Sequence, residues 1–65
     1  MIIVDLIKEL MYQMDMTSRD VSKATGLPIE IIENIVNKDI IPTPENADII
    51  LNVLGATLEE VLSLY

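Results

Sequence analysis

The stretch Thr17-Ser18-Arg19-Asp20-Val21-Ser22-Lys23-Ala24-Thr25-Gly26-Leu27-Pro28-Ile29-Glu30-Ile31-Ile32 decides the fold of this chain. It opens on a hydroxyl followed three residues later by a carboxylate. In this arrangement, a capping box, the two side chains satisfy backbone N–H groups that a first helical turn leaves unpaired. A short helix is therefore expected from Ser18, with Val21, Ala24 and Thr25 turned inward. Gly26 stands where the end of that helix needs a left-handed residue. Only Leu27 then separates it from Pro28, a residue tolerated at a helix start because its missing N–H would be unpaired there in any case. A second helix must follow almost at once, with Ile31, Ile32, Ile35 and Val36 as its buried stripe. The two helices meet across a tight glycine turn. Ser22 is small enough to let them cross closely, and Val21, Leu27 and Ile32 can lock them together.

On the N-terminal side, Ile3, Leu6, Ile7, Leu10, Met11 and Met14 recur at the spacing of one helical face, which predicts a helix over roughly residues 2 to 13. On the C-terminal side, Asn37-Lys38 is the expected stop of the third helix, since Asn tolerates positive φ. The segment Asp39-Ile40-Ile41-Pro42-Thr43-Pro44 reads as a loop ending in an N-cap, Thr43, with Pro44 in the first turn. A fourth helix carries Ala47, Ile50, Leu51 and Leu54 and ends at Gly55. Thr57-Leu58-Glu59-Glu60 is a second capping box, and Leu58, Val61 and Leu62 supply the apolar face of a fifth helix. No repeat or linker interrupts residues 1–65, so a single domain is expected.

A 65-residue chain of 7.3 kDa buries only about 60% of the surface its unfolded form exposes. Half its residues are apolar and the only aromatics are two Tyr, so Ile, Leu, Val and Met must fill the core, the methionines included. The absence of Cys and His excludes disulfides, Cys/His zinc sites, thiol nucleophiles and imidazole acid–base pairs. The acidic pairs Glu45/Asp48 and Glu59/Glu60 fall short of the six to eight oxygens a calcium ion takes. Stabilisation of helix N-termini accounts for Glu45, Glu59 and Glu60. Neither an enzyme, a cofactor nor a metal site is expected. Eleven carboxylates against Lys8, Arg19, Lys23 and Lys38 give a net charge of −7, which opposes nonspecific binding to polyanions. Three of the four cations nevertheless cluster around the glycine turn and the helix after it, leaving only Lys8 outside. The N-terminus has no basic lead, and the longest uncharged run, from Ile49 to Leu58, is far short of the ~20 residues that span a bilayer. A full-length cytoplasmic protein without membrane contact is the expectation.

Several residues carry a wider likeness: the run from Met16 to Leu27, Ile32 and Ile35, Pro42, and Leu54-Gly55-Ala56-Thr57-Leu58-Glu59-Glu60-Val61-Leu62. Over residues 3 to 63 the chain resembles the phage-repressor, Cro-like (XRE-type) helix-turn-helix domain. The resemblance implies an all-α, compact five-helix, lambda-repressor-like fold with the helix-turn-helix at about residues 17–37 and its third helix as major-groove reader. It implies a small DNA-binding transcriptional regulator acting as a homodimer. Pro28, Ile29, Glu30, Glu33, Asn34 and Asn37 would then lie on or near the base-facing side, and Thr17, Ser18, Arg19, Lys23 and Lys38 would meet phosphates. Asn suits adenine edges, Ile a thymine methyl and Glu the cytosine amino group, while no Arg is present for guanine. Ile49, Val53, Leu64 and Tyr65, toward the end where such domains pair, are the candidate dimer or partner surface.

Two departures from the family stand out. Met11 and Val36 occupy positions where the family commonly has Arg and Glu, an often partly buried ion pair. Replacing both partners by hydrophobes keeps a core intact, whereas losing one strands a charge. Lys38 replaces a frequent Gly, which would force a non-Gly residue into an uncommon backbone conformation.

The charge balance supports a second reading from a different class. On it, the acidic, Ile-bearing face of the third helix docks a protein partner, for example another regulator, and DNA binding has been lost. Ile2, Val4, Ile29, Ile40, Ile41, Ile49, Val53, Leu64 and Tyr65 have no obvious core slot, and clustered surface apolars mark partner sites. Ile40 and Ile41 have a plainer role open to them, covering the edge of the core. Helix-turn-helix geometry places the DNA reading first.

Overall fold

The computed structural model describes residues 2–56 as four helices: α1 (Ile2–Gln13), α2 (Ser18–Thr25), α3 (Ile29–Lys38) and α4 (Pro44–Val53). The expected fifth helix, with its Thr57 cap, falls outside the described residues, as do Leu64 and Tyr65. The count of five expected from sequence is therefore four among the described residues.

Local chemistry sets the helix boundaries. Thr17 is the N-cap of α2, and its hydroxyl accepts from the Asp20 N–H at 3.2 Å while its own N–H donates to the Asp20 carboxylate at 2.9 Å. Thr43 caps α4 by accepting from the Asn46 N–H at 3.2 Å, with Pro44 in the first turn. A left-handed residue follows each helix: Asp15 after α1, Gly26 after α2, Asp39 after α3 and Gly55 after α4. These turns bring otherwise orphaned carbonyls within reach of later N–H groups, Met16 to Met11 at 2.9 Å and Ala56 to Leu51 at 2.8 Å. α3 ends at Lys38, as the Asn37-Lys38 stop predicts, but the positive φ does not fall on Asn37. Both residues are helical, and Asp39, at φ 55°, takes the strained conformation instead. Lys38 therefore keeps a helical backbone, and the left-handed position falls one residue later on another non-Gly residue.

α1 and α2 each pack on both α3 and α4. The core they enclose is made of Val4, Ile7, Met11, Val21, Ile32, Ile35, Ala47, Ile50, Leu51 and Leu54, with no buried polar or charged residue among those described. Full burial of one such aliphatic side chain is worth about 1.5–3 kcal/mol, so a few residues decide whether a domain this small folds. Met11 is buried and Val36 packs against the same cluster, so apolar packing fills both positions, as expected for a pair of hydrophobes.

Other expectations are corrected by this packing. Val4, thought to lack a core slot, is fully buried, because the inward stripe of α1 runs Val4, Ile7, Met11. Ile3, Leu6 and Leu10 flank that stripe half-buried, and Met14, past the end of the helix, is exposed. Ala24 is exposed rather than inward. Ile40 and Ile41, at 48% and 54%, are exposed large hydrophobics.

Candidate nucleic-acid interface

The turn between α2 and α3 is fastened by side chains of α2. The Ser22 hydroxyl donates to the Leu27 carbonyl at 2.6 Å. Thr25 donates to the Val21 carbonyl at 2.7 Å and accepts from the Leu27 N–H at 3.2 Å. Ser22 thus contributes a hydrogen bond as well as small size, and Leu27 packs half-buried against the core between the two helices. With Gly26 at φ 78° and Pro28 at φ −57° on either side of it, the turn has little freedom. The relative orientation of α2 and α3 is therefore fixed within the motif itself.

Helical geometry then decides what each helix shows to solvent. On α2, Arg19 and Lys23 each lie about 160° around the axis from the buried Val21, so both cations point straight outward one turn apart. On α3, Ile32 and Ile35 face the core, which sends Glu30 and Asn37 directly outward with Glu33 and Asn34 beside them. Glu30, Glu33, Asn34, Asn37 and Lys38 line one shallow, open depression along α3. The structure thus brings together four of the six base-facing candidates, with Lys38 at the C-terminal end. Of the other two, Pro28 is the exposed residue preceding α3, while Ile29, its first residue, is half-buried on the flank of the stripe. Ser18 is half-buried at the start of α2, and Thr17 is exposed with its hydroxyl engaged in the cap.

Among the described residues, none of the side chains of Arg19, Lys23, Glu30, Glu33, Asn34, Asn37 and Lys38 takes part in a hydrogen bond or ion pair within the chain. Their bonding capacity is open. Among the described residues, an ion pair joins Lys8 of α1 to Asp39, just past the C-terminal end of α3. Lys8 was not among the sequence-derived site residues, and no local signal exposes it, since its partner lies 31 residues away. Its hydrogen bond and charge hold the Asp39 carboxyl below the usual carboxylate range. The Asp20 carboxyl is likewise lowered, first by the Thr17 N–H and hydroxyl and then by Lys23 and Arg19.

The described residues contain no group of three or more His, Cys, Asp or Glu placed to hold a metal ion, and no helix long and apolar enough to cross a membrane. Of the dimer candidates, Ile49 and Val53 lie half-buried one turn apart on α4.

Two short helices fastened across a glycine turn, the second presenting an open polar stripe, define a helix-turn-helix domain. The helix-turn-helix family model matches residues 7–61, and the chain belongs to that family, in its XRE type, a family of DNA-binding regulatory domains. No curated protein matches the chain. No solved structure matches it either.

Proposed function

We propose that this protein is a DNA-binding transcriptional regulator that reads an operator half-site with the outward stripe of α3 and holds phosphates with Arg19, Lys23, Lys38 and the capped N-terminus of α2. The observation that carries the reading is the stripe itself: Glu30, Glu33, Asn34 and Asn37 stand on the open face of the second motif helix with no bonding partner among the described residues. A face of purely structural use gains from i,i+4 pairing. This one leaves Glu30/Asn34 and Asn34/Lys38 at that spacing uncoupled. Arg19 and Lys23, on the outward side of a helix that packs on α3, supply the positive charge that a molecule of net charge −7 otherwise lacks. The half-exposed Ile49 and Val53 form the surface through which two copies would pair on a two-fold operator. Sedimentation at high concentration tests that pairing: a ~7 kDa species alone removes it.

Fluorescence anisotropy with mixed-sequence duplexes at ~50 mM salt tests the function. Binding is expected at micromolar protein, with log K falling about 2.7 per tenfold rise in salt if three cations each neutralise a phosphate. Arg19→Ala with Lys23→Ala should bring that slope close to −1. No binding at tens of micromolar would overturn the reading and rank docking of a protein on the acidic α3 face first.

A further inference from the structure

The hydrogen-bonding inventory of α3 is lopsided. An ionised Glu only accepts, and Glu30 and Glu33 together bring four acceptor oxygens to the face. Asn34 and Asn37 both accept and donate, and the one charged donor, Lys38, is at the far end. In the major groove, guanine and thymine present only acceptors, whereas cytosine N4 and adenine N6 are amino donors. A carboxylate desolvated against guanine O6/N7 or thymine O4 leaves two acceptors facing each other unpaired, which is costly, and against an amino group it is satisfied.

Resting on the DNA-binding reading above, we infer that Glu30 and Glu33 are specificity-determining residues that restrict two base positions to an amino-bearing base, cytosine or adenine, on the strand each faces. The residues are three apart on α3, a rise of about 4.5 Å, close to one base step of about 3.4 Å, so they meet neighbouring or next-neighbouring pairs. Glu30 to Asn37 spans about 10 Å, or about three steps, and the asparagines fall on the same short site. The same carboxylates repel phosphates wherever no amino group compensates them, so they weaken indiscriminate binding as well as selecting the site. The signature is an unusual one. Exchange of C for A at these two positions is tolerated, while exchange of C for G or of A for T is not, so the code ignores A·T against G·C content and reads which strand carries the amino group.

The test uses the full chain. Selection from randomised duplexes is followed by anisotropy titrations of the selected site, of single-position variants and of a mixed-sequence duplex, for the wild type, Glu30→Gln and Glu33→Gln. Both glutamates are exposed and their side chains make no hydrogen bond among the described residues, so the circular dichroism of the variants should match the wild type. Two positions tolerant of C and A are expected, with a change to G or T weakening binding about fivefold or more. Each Gln variant, able to donate as well as accept, should lose the discrimination at one of those positions. Each should also bind the mixed duplex more tightly, by about threefold to fivefold. Opposite movement of affinity and selectivity is something a merely structural glutamate would not produce. Binding without base preference, a preference set by A·T against G·C content, or selectivity unchanged in both variants would overturn the inference and leave the DNA-binding reading standing. Failure to bind any duplex would overturn both.

Discussion

Asp20 serves two neighbours at once, accepting the Thr17 N–H at the start of α2 and lying within the field of Arg19 and Lys23. Each of these favours the ionised carboxylate, which is why its folded pKa is lowered. The linkage has a definite sign. The unfolded chain binds this proton more readily, so the stabilisation is present above the unfolded pKa of about 4 and is lost as pH falls through the lower folded value. Asp39, lowered by Lys8, acts in the same direction. The contribution of these carboxylates should therefore disappear between pH 5 and pH 2: Asp20→Asn should unfold at lower urea than the wild type at pH 7, and the gap between the two should close toward pH 2. Equal declines in wild type and variant would show that the cap carboxylate contributes nothing. Asp39 also illustrates what local reading misses. The sequence places positive φ at Asn37, whereas α3 stays helical through Lys38 and Asp39 takes it, paired there with Lys8.

At the scale of elements, the turn between α2 and α3 is the feature on which the site depends. Gly26 sits at φ 78°, and a Cβ built there meets nothing within 4 Å, so replacing it tests backbone conformation alone. A left-handed L-residue costs roughly 1–2 kcal/mol, and Ala recovers part of that, about 0.4–1 kcal/mol, by restricting the unfolded chain. Gly26→Ala should thus lose about 1 kcal/mol in chemical denaturation and leave the hydrogen bonds of Ser22 and Thr25 to reform around a slightly shifted turn. A loss near zero would mean the turn relaxes out of its left-handed geometry. Most of this element level was legible in the sequence: both Thr caps, Pro44, Gly26, Gly55 and the limits of α1 rest on hydrogen bonds reaching only a few residues. The outward stripe of α3 was legible for the same reason, because the positions of Ile32 and Ile35 dictate those of Glu30, Glu33, Asn34 and Asn37. Less legible was which flank of an apolar stripe turns inward. Val4 is buried and Met14 exposed, although Met14 fits the expected spacing and Val4 does not, because the neighbours that cover α1 come from α3 and α4.

For the molecule as a whole, a net charge of −7 with Lys8–Asp39 as the ion pair among the described residues means that self-repulsion exceeds pairing. Salt screens both kinds of interaction, but the excess is repulsive. The melting temperature should rise as NaCl goes from about 0.05 to 0.5 M, where the Debye length drops from more than 10 Å to a few ångströms. On the proposed function, affinity for DNA should fall over the same range. A melting temperature that drops with salt would show that attractive pairs dominate. On the proposed reading the two opposite responses come from different charges: the eleven carboxylates spread along the chain, and Arg19, Lys23 and Lys38 of α2 and α3.

The amino-acid order alone settled the four described helices, the Thr17 and Thr43 caps, the glycine turn and the polar composition of α3, because each depends on contacts between residues at most about five apart. Tertiary structure alone decided that Lys8 would meet Asp39 across 31 residues, that Val4 would enter the core, and that Ile40 and Ile41 would stay open to solvent. Those outcomes follow from how α1 and α2 settle on α3 and α4, and which side of a helix is covered is a property of its neighbours in space.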